Sequence, residues 1–126
     1  MRKLNSTNYE NHNAITAECP ILSTLHFVSG RWKLVILWRI KDEVGRFGTL
    51  QKSMPGISKK MLSQQLRELE RDGFIHREIF AEMPPRVEYS LTELGRSFIP
   101  VLEHIEKWGN EQNITSHFQE MIEKIG

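Results

Sequence analysis

The chain has 126 residues, 39% of them hydrophobic, enough to bury one real core with peripheral tails but hardly two. Its single cysteine, Cys19, excludes an internal disulfide, and the formal net charge of +1 excludes no partner by itself. No apolar stretch is long enough to span a bilayer, and residues 1–18 lack the apolar run of a signal peptide, so a cytoplasmic protein is expected.

Residues 1–18 (MRKLNSTNYENHNAITAE) are polar, Asn-rich and aperiodic, and read as a flexible N-terminal arm. "CPILSTLHFVSG" follows, with Pro20 where a first helical turn tolerates proline and Gly30 at a plausible C-cap. Ile21, Leu22, Leu25 and Val28 make one stripe. "RWKLVILWRIKD" is apolar around most of its circumference and belongs in the middle of a core.

In "RFGTLQKSMPGIS", Thr49 is expected to cap a short helix ending at Met54, and Pro55 and Gly56 turn the chain. Ser58 then caps the next helix, with Ile57 and Leu62 at the two positions of a hydrophobic staple. After "DGF" the pattern turns extended. "IHREIFAEM", the break "PP" and the alternating "RVEYSLT" predict a β-hairpin with a proline-stiffened tip. Thr92 caps a long helix with Leu94, Phe98, Leu102, Ile105 and Trp108 on one face and a kink expected at Pro100. A last amphipathic segment aligns Ile114, Phe118, Met121, Ile122 and Ile125.

Helix, turn, helix and hairpin are the parts of a winged helix-turn-helix, whose second helix enters the DNA major groove while the hairpin tip reaches the neighbouring backbone. The expected fold class is therefore α+β, mainly α: a winged helix-turn-helix domain over residues 19–112 with added N- and C-terminal dimerisation helices, the last over 113–126. Charge supports this. From Arg31 to Arg86 there are twelve Lys/Arg against seven Asp/Glu, whereas the remainder has five against nine, so the centre is basic and the flanks acidic.

The stretch "ISKKMLSQQLRELERDGF" (57–74) places two lysines near the start of its helix and three acids near its end, against the preference of the helix macrodipole. Leu62, Leu66 and Leu69 repeat at i, i+4, i+7 and point to the core, leaving Lys60, Ser63, Gln64, Arg67 and Arg71 on the opposite side. Arg can bond the O6/N7 edge of guanine, Gln the N6/N7 edge of adenine, and Ser can donate or accept. Lys59 and Lys60 would meet phosphates. A plain solvated face is the alternative for this helix taken alone; the hairpin and the two caps favour DNA.

From Cys19 to Trp108 the chain resembles the HxlR-type family of bacterial winged-helix regulators, related to the MarR group. The matching residues are "CP" at 19, "GRWKLVIL" from 30, "RFGTL" from 46, "PGISKKMLSQQLRELERDG" from 55, "PPRVEYSLTELG" from 84, and Trp108. The family's usual Gly-Gly is Ser29-Gly30 here. The resemblance implies a dimeric transcriptional regulator, a repressor by family default, in which the 58–71 helix reads operator DNA and the 75–91 hairpin is the wing. Arg86, after Pro84 and Pro85, is then aimed at a phosphate or the minor groove; its alternative is an ion pair to Glu82 or Glu88. A symmetric homodimer would read an inverted repeat in double-stranded DNA.

Other readings carry less. The five histidines show no i, i+3 or i+4 pair and no Cys-x-x-Cys exists, so no metal is expected. Three tryptophans are read as core or dimer contacts before ligand-pocket walls. No nucleophile-and-base arrangement or phosphate-binding glycine loop is visible, and neither enzyme activity nor a cofactor is expected. The alternative in another class is a winged-helix module for protein binding. At Cys19 a helix start favours a thiolate while Glu18 opposes it, and a small buried residue without chemistry is the commoner fate. Some members of the family use a cysteine at this place to sense oxidants, quinones or aldehydes, which makes Cys19 a candidate regulatory thiol toward a small electrophile or oxidant.

Overall fold

The computed structural model describes residues 3–43 and 45–125. In chain order it contains α1 (Lys3–Glu18), α2 (Pro20–Val28), α3 (Lys33–Arg39), β1 (Gly45–Arg46), α4 (Phe47–Lys52), α5 (Lys59–Arg71), β2 (Ile75–Phe80), β3 (Arg86–Leu91), α6 (Glu93–Glu111) and α7 (Ile114–Ile125).

The core is the junction of α3, α4, α5 and the inner face of the sheet. Ile36 and Leu37 from α3, Leu50 and Met54 around α4, Leu62, Leu66 and Leu69 from α5, Ile75, Tyr89 and Leu91 from the hairpin and Leu102 from α6 are all buried in one cluster. α3 is sunk because its residues are apolar on nearly all sides, and Trp32, Leu34, Val35 and Trp38 pack around the same cluster. Ile57 and Leu62, the two ends of the staple, are both in it.

The two long caps form as the sequence predicts. Ser58 Oγ accepts from the Met61 N–H at 3.0 Å at the start of α5, and Thr92 Oγ1 accepts from the Gly95 N–H at 3.1 Å at the start of α6. Thr49 does not cap: it lies inside α4, which begins at Phe47 after Arg46 in extended conformation and makes no side-chain cap bond. α6 runs through Pro100 as one helical span.

The three-stranded antiparallel sheet has the order β1-β3-β2, so β3 is central. Its register pairs Ile75 with Leu91, Arg77 with Tyr89, Ile79 with Val87 and Phe80 with Arg86, while Gly45 and Arg46 pair with Tyr89 and Glu88. Two residues are too short for any alternation, so β1 has no sequence signature. Gly45 is required there, since an added Cβ would lie 2.5 Å from Ile40 Cγ2.

Residues 3–18 differ from expectation: where an arm without regular structure is expected, the backbone is helical and packs on α2. No Gly or Pro interrupts the segment, and it ends where Pro20 withholds a donor. The Ser23 hydroxyl donates to the Thr16 carbonyl across the α1–α2 corner. The few apolar residues of this segment follow no helical period, so the sequence leaves no helix signal to read.

Candidate nucleic-acid interface

α5 rests on the core through three leucines and turns the rest of its surface outward. Lys59, Lys60, Gln64, Arg67 and Arg71 are exposed and Ser63 half-buried, as the spacing predicts. Among the described residues no carboxylate lies within 4.0 Å of the Lys59, Lys60 or Arg67 cationic groups. These three charges therefore remain available to an external anion.

Two of the acids near the end of α5, Glu68 and Asp72, have partners inside the molecule. Glu68 Oε1 lies 2.6 Å from Lys33 Nζ, and Glu68 Oε2 accepts from Gln64 Nε2 at 3.1 Å. Lys33 is only 8% exposed, so Glu68 neutralises an ammonium buried at the start of α3. The Lys33 hydrogen bond, then that of Gln64, holds the Glu68 carboxyl below its ordinary range. Asp72, which follows α5, takes both guanidinium hydrogen bonds of Arg71 at 3.0 and 3.1 Å. This pairing lowers the Asp72 carboxyl and raises the Arg71 guanidinium. Two of the three acids that run against the macrodipole, Glu68 and Asp72, thus serve pairing within the fold, while Lys59 and Lys60 have no carboxylate partner among the described residues.

Arg86 is where the structure differs most from the sequence preference. Its guanidinium lies 2.9 Å from Glu82 Oε1 and 3.0 Å from Glu88 Oε2, and sits 4.1 Å from the centre of the Phe80 ring. The ion pairs posed as the alternative to DNA are both formed. The reason lies in the register: Glu78 and Glu88 stand directly opposite each other across the hairpin, a repulsive arrangement. Arg86 from one side and Arg46, 3.4 Å away, from the other relieve Glu88.

Cys19 is half-buried at the corner between α1 and α2, a free thiol at the N-cap position of α2. Its side chain makes no cap bond. Trp108 on α6 is exposed, whereas Trp32 and Trp38 flank the core. Among the described residues no group of three His, Cys, Asp or Glu side chains is placed to hold a metal, and no helix is long and apolar enough to cross a membrane.

Sequence reasoning missed Lys33, Glu68 and Arg77. The signal for the first two was present, because a lysine inside a helix that is apolar all round demands a counter-charge. Nothing in the local spacing names that counter-charge as Glu68, thirty-five residues on. Arg77 lies on an alternating strand whose face is fixed only by the hairpin register.

A capped helix laid across a helical core, with its polar face outward and a hairpin beside it, defines a winged helix-turn-helix regulator. The HxlR-like helix-turn-helix model matches residues 27–117, and the chain belongs to this family of transcriptional regulators. It is 44% identical over 107 residues to the HTH-type transcriptional regulator YdeP of Bacillus subtilis (strain 168), covering 85% of this chain and 79% of that one. Among solved structures it is similar to the redox regulator HypR in its reduced form, with a TM-score of 0.73, 40% identity and coverage of 75% of this chain and 94% of that chain. It is also similar to diamide-treated YodB from B. subtilis, with a TM-score of 0.63, 32% identity and coverage of 74% and 93%.

Proposed function

We propose that the protein acts in the cytoplasm as a homodimeric, sequence-specific operator-binding repressor, with α5 in the major groove and the 75–91 hairpin as wing. The observation that carries this is the exposed face of α5, where Lys59, Lys60 and Arg67 have no carboxylate partner among the described residues. Gln64, Arg67 and Ser63 read base edges, with Arg71 at the far end of the same face, and Lys59 and Lys60 hold phosphates. Arg86 fixes the shape of the wing and reaches a phosphate only by exchanging its carboxylate partners. Binding-site selection with the purified protein, followed by affinity measurements over a salt series, tests this. An inverted repeat bound with a steep salt dependence is expected; no selected sequence and a salt-insensitive protein partner would replace the reading with a protein-binding module.

The half-buried Cys19 thiol adds a regulatory site. Its place on the helix pair outside the DNA face, and the similarity to redox regulators, support oxidant or electrophile sensing through a disulfide to the same residue of the second subunit or an adduct with a small molecule. Either product acts at the α1–α2 corner and shifts the spacing of the two α5 helices. Diamide or a quinone should change operator binding by the unmodified protein and leave Cys19→Ser unaffected. Equal binding before and after treatment in the unmodified protein leaves Cys19 structural.

A further inference from the structure

Ile75, Arg77 and Ile79 share one face of β2, and the register sets them against Leu91, Tyr89 and Val87 of β3. Ile75, Tyr89 and Leu91 are core residues, so this is the face turned toward α5, and Arg77 is the charged member of its row. Arg77 is nevertheless exposed. With Ser63, Arg67 and Glu70 of α5, Phe47 and Tyr89, it lines an open cleft of about 370 Å³ between α5 and the hairpin.

The charge in this cleft is unbalanced. Arg46 and Arg86, on the same hairpin assembly, are both on Glu88, and Arg71 is on Asp72. By contrast, no described carboxylate approaches Arg67 or Arg77 within 4.0 Å. Glu70 lines the cleft without closing an ion pair to either, which leaves two guanidinium groups against one carboxylate. Like charges gathered at one site repel unless an anion joins them, and a guanidinium suits the oxygens of a phosphodiester.

We propose that Arg77 binds a backbone phosphate of the DNA strand that passes between α5 and the wing. This rests on α5 being the DNA-reading helix. A major groove about 12 Å wide admits one helix. A side chain carried by a neighbouring strand therefore meets the sugar-phosphate wall and not the base edges. Arg67 adds to the field at the site whichever partner its own guanidinium takes.

The test uses the full chain, the selected operator and random duplex, with Arg77→Ala, Arg77→Lys and Lys59→Ala. Arg77→Ala should weaken both duplexes by the same factor and flatten the salt slope by about one per protomer. In ethylation interference, one phosphate per half-site should cease to matter. Arg77→Lys should keep the slope, and thermal unfolding of both Arg77 variants should match that of the unmodified protein. If Arg77→Ala leaves slope and interference unchanged while Lys59→Ala flattens the slope, the Arg77 site is overturned and the DNA reading stands. A change of sequence preference at constant slope would overturn it too, making Arg77 a base reader. Salt-insensitive binding by the unmodified protein would remove the underlying reading itself.

Discussion

Lys33, Glu68 and Gln64 form one chain of contacts from the core to the outward face of α5. A lysine this deep needs its carboxylate, and the same carboxylate steadies the amide proposed to read a base. The Glu68 carboxyl is lowered in the folded protein from an ordinary value of 4.5. Its contribution to stability is therefore complete above that value and is lost as pH falls through and below it. Asp72, lowered from 3.8 by Arg71, adds a loss of the same sign at still lower pH. Glu68→Gln should cost about 1–2 kcal/mol at neutral pH and make stability fall less steeply toward about pH 3, read by urea unfolding across a pH series. Glu68→Ala, which removes the acceptor for Gln64 altogether, should also weaken operator discrimination. Direct truncation has a sharper signature: Gln64→Ala and Arg67→Ala should each reduce discrimination between operator and random DNA by about 1–3 kcal/mol. Lys59→Ala should weaken both alike, and a change of sequence preference in Lys59→Ala but not in Arg67→Ala would reverse the assignment of faces.

At the scale of elements, α6 is latched to the exit of α5. The Thr92 N–H donates to the Phe74 carbonyl at 3.1 Å, and its hydroxyl donates to the Gly73 carbonyl at 2.6 Å while accepting from Gly95. Gly95 permits this approach, because a Cβ there would lie 2.2 Å from the Phe74 oxygen. Thr92→Ala should cost about 1 kcal/mol, seen as a fall in Tm of roughly 3–5 °C. Gly95→Ala should cost about 1–3 kcal/mol, because backbone and not a flexible side chain must move. Equal melting of Gly95→Ala and the unmodified protein would show that the latch is loose. Much of this level was legible in the sequence. Ser58 and Thr92 are caps with a mechanism, the α5 leucines carry a clear period, and the Pro-Pro break marks the hairpin tip. The illegible parts depend on distant partners: β1 exists only because β3 lies beside it, and Arg86 takes Glu88 because the register sets Glu78 opposite the same carboxylate. The α5 side of the candidate site was readable from spacing, while the Arg77 side needed the strand pairing.

At the scale of the molecule, α7 buries none of its residues, although Ile114, Phe118, Met121 and Ile122 repeat along one side of it. Ile105 and Trp108 on α6 and Ile21 and Leu25 on α2 are also exposed, Ile21 at 71%. Stripes of this extent, on helices at both ends of one chain, exceed the scattered apolar surface ordinary on a monomer and are what a self-complementary interface needs. They lie on helices other than α5, so two chains joined through them can each keep the reading helix free. A dyad then sets the half-site centres of an inverted repeat about 34 Å apart, or at a multiple of that spacing. Light scattering should give a dimer at micromolar concentration. Phe118→Asp combined with Ile122→Asp should yield a folded monomer, since both side chains are about half exposed in the single chain and neither belongs to its core. That monomer should retain weak binding to one half-site and lose the gain from the second, a drop of several orders of magnitude on the full operator if one half-site sets the effective concentration for the other. A monomeric unmodified protein at micromolar concentration, or a double variant that dimerises and binds as before, would defeat the assignment of these helices to the interface.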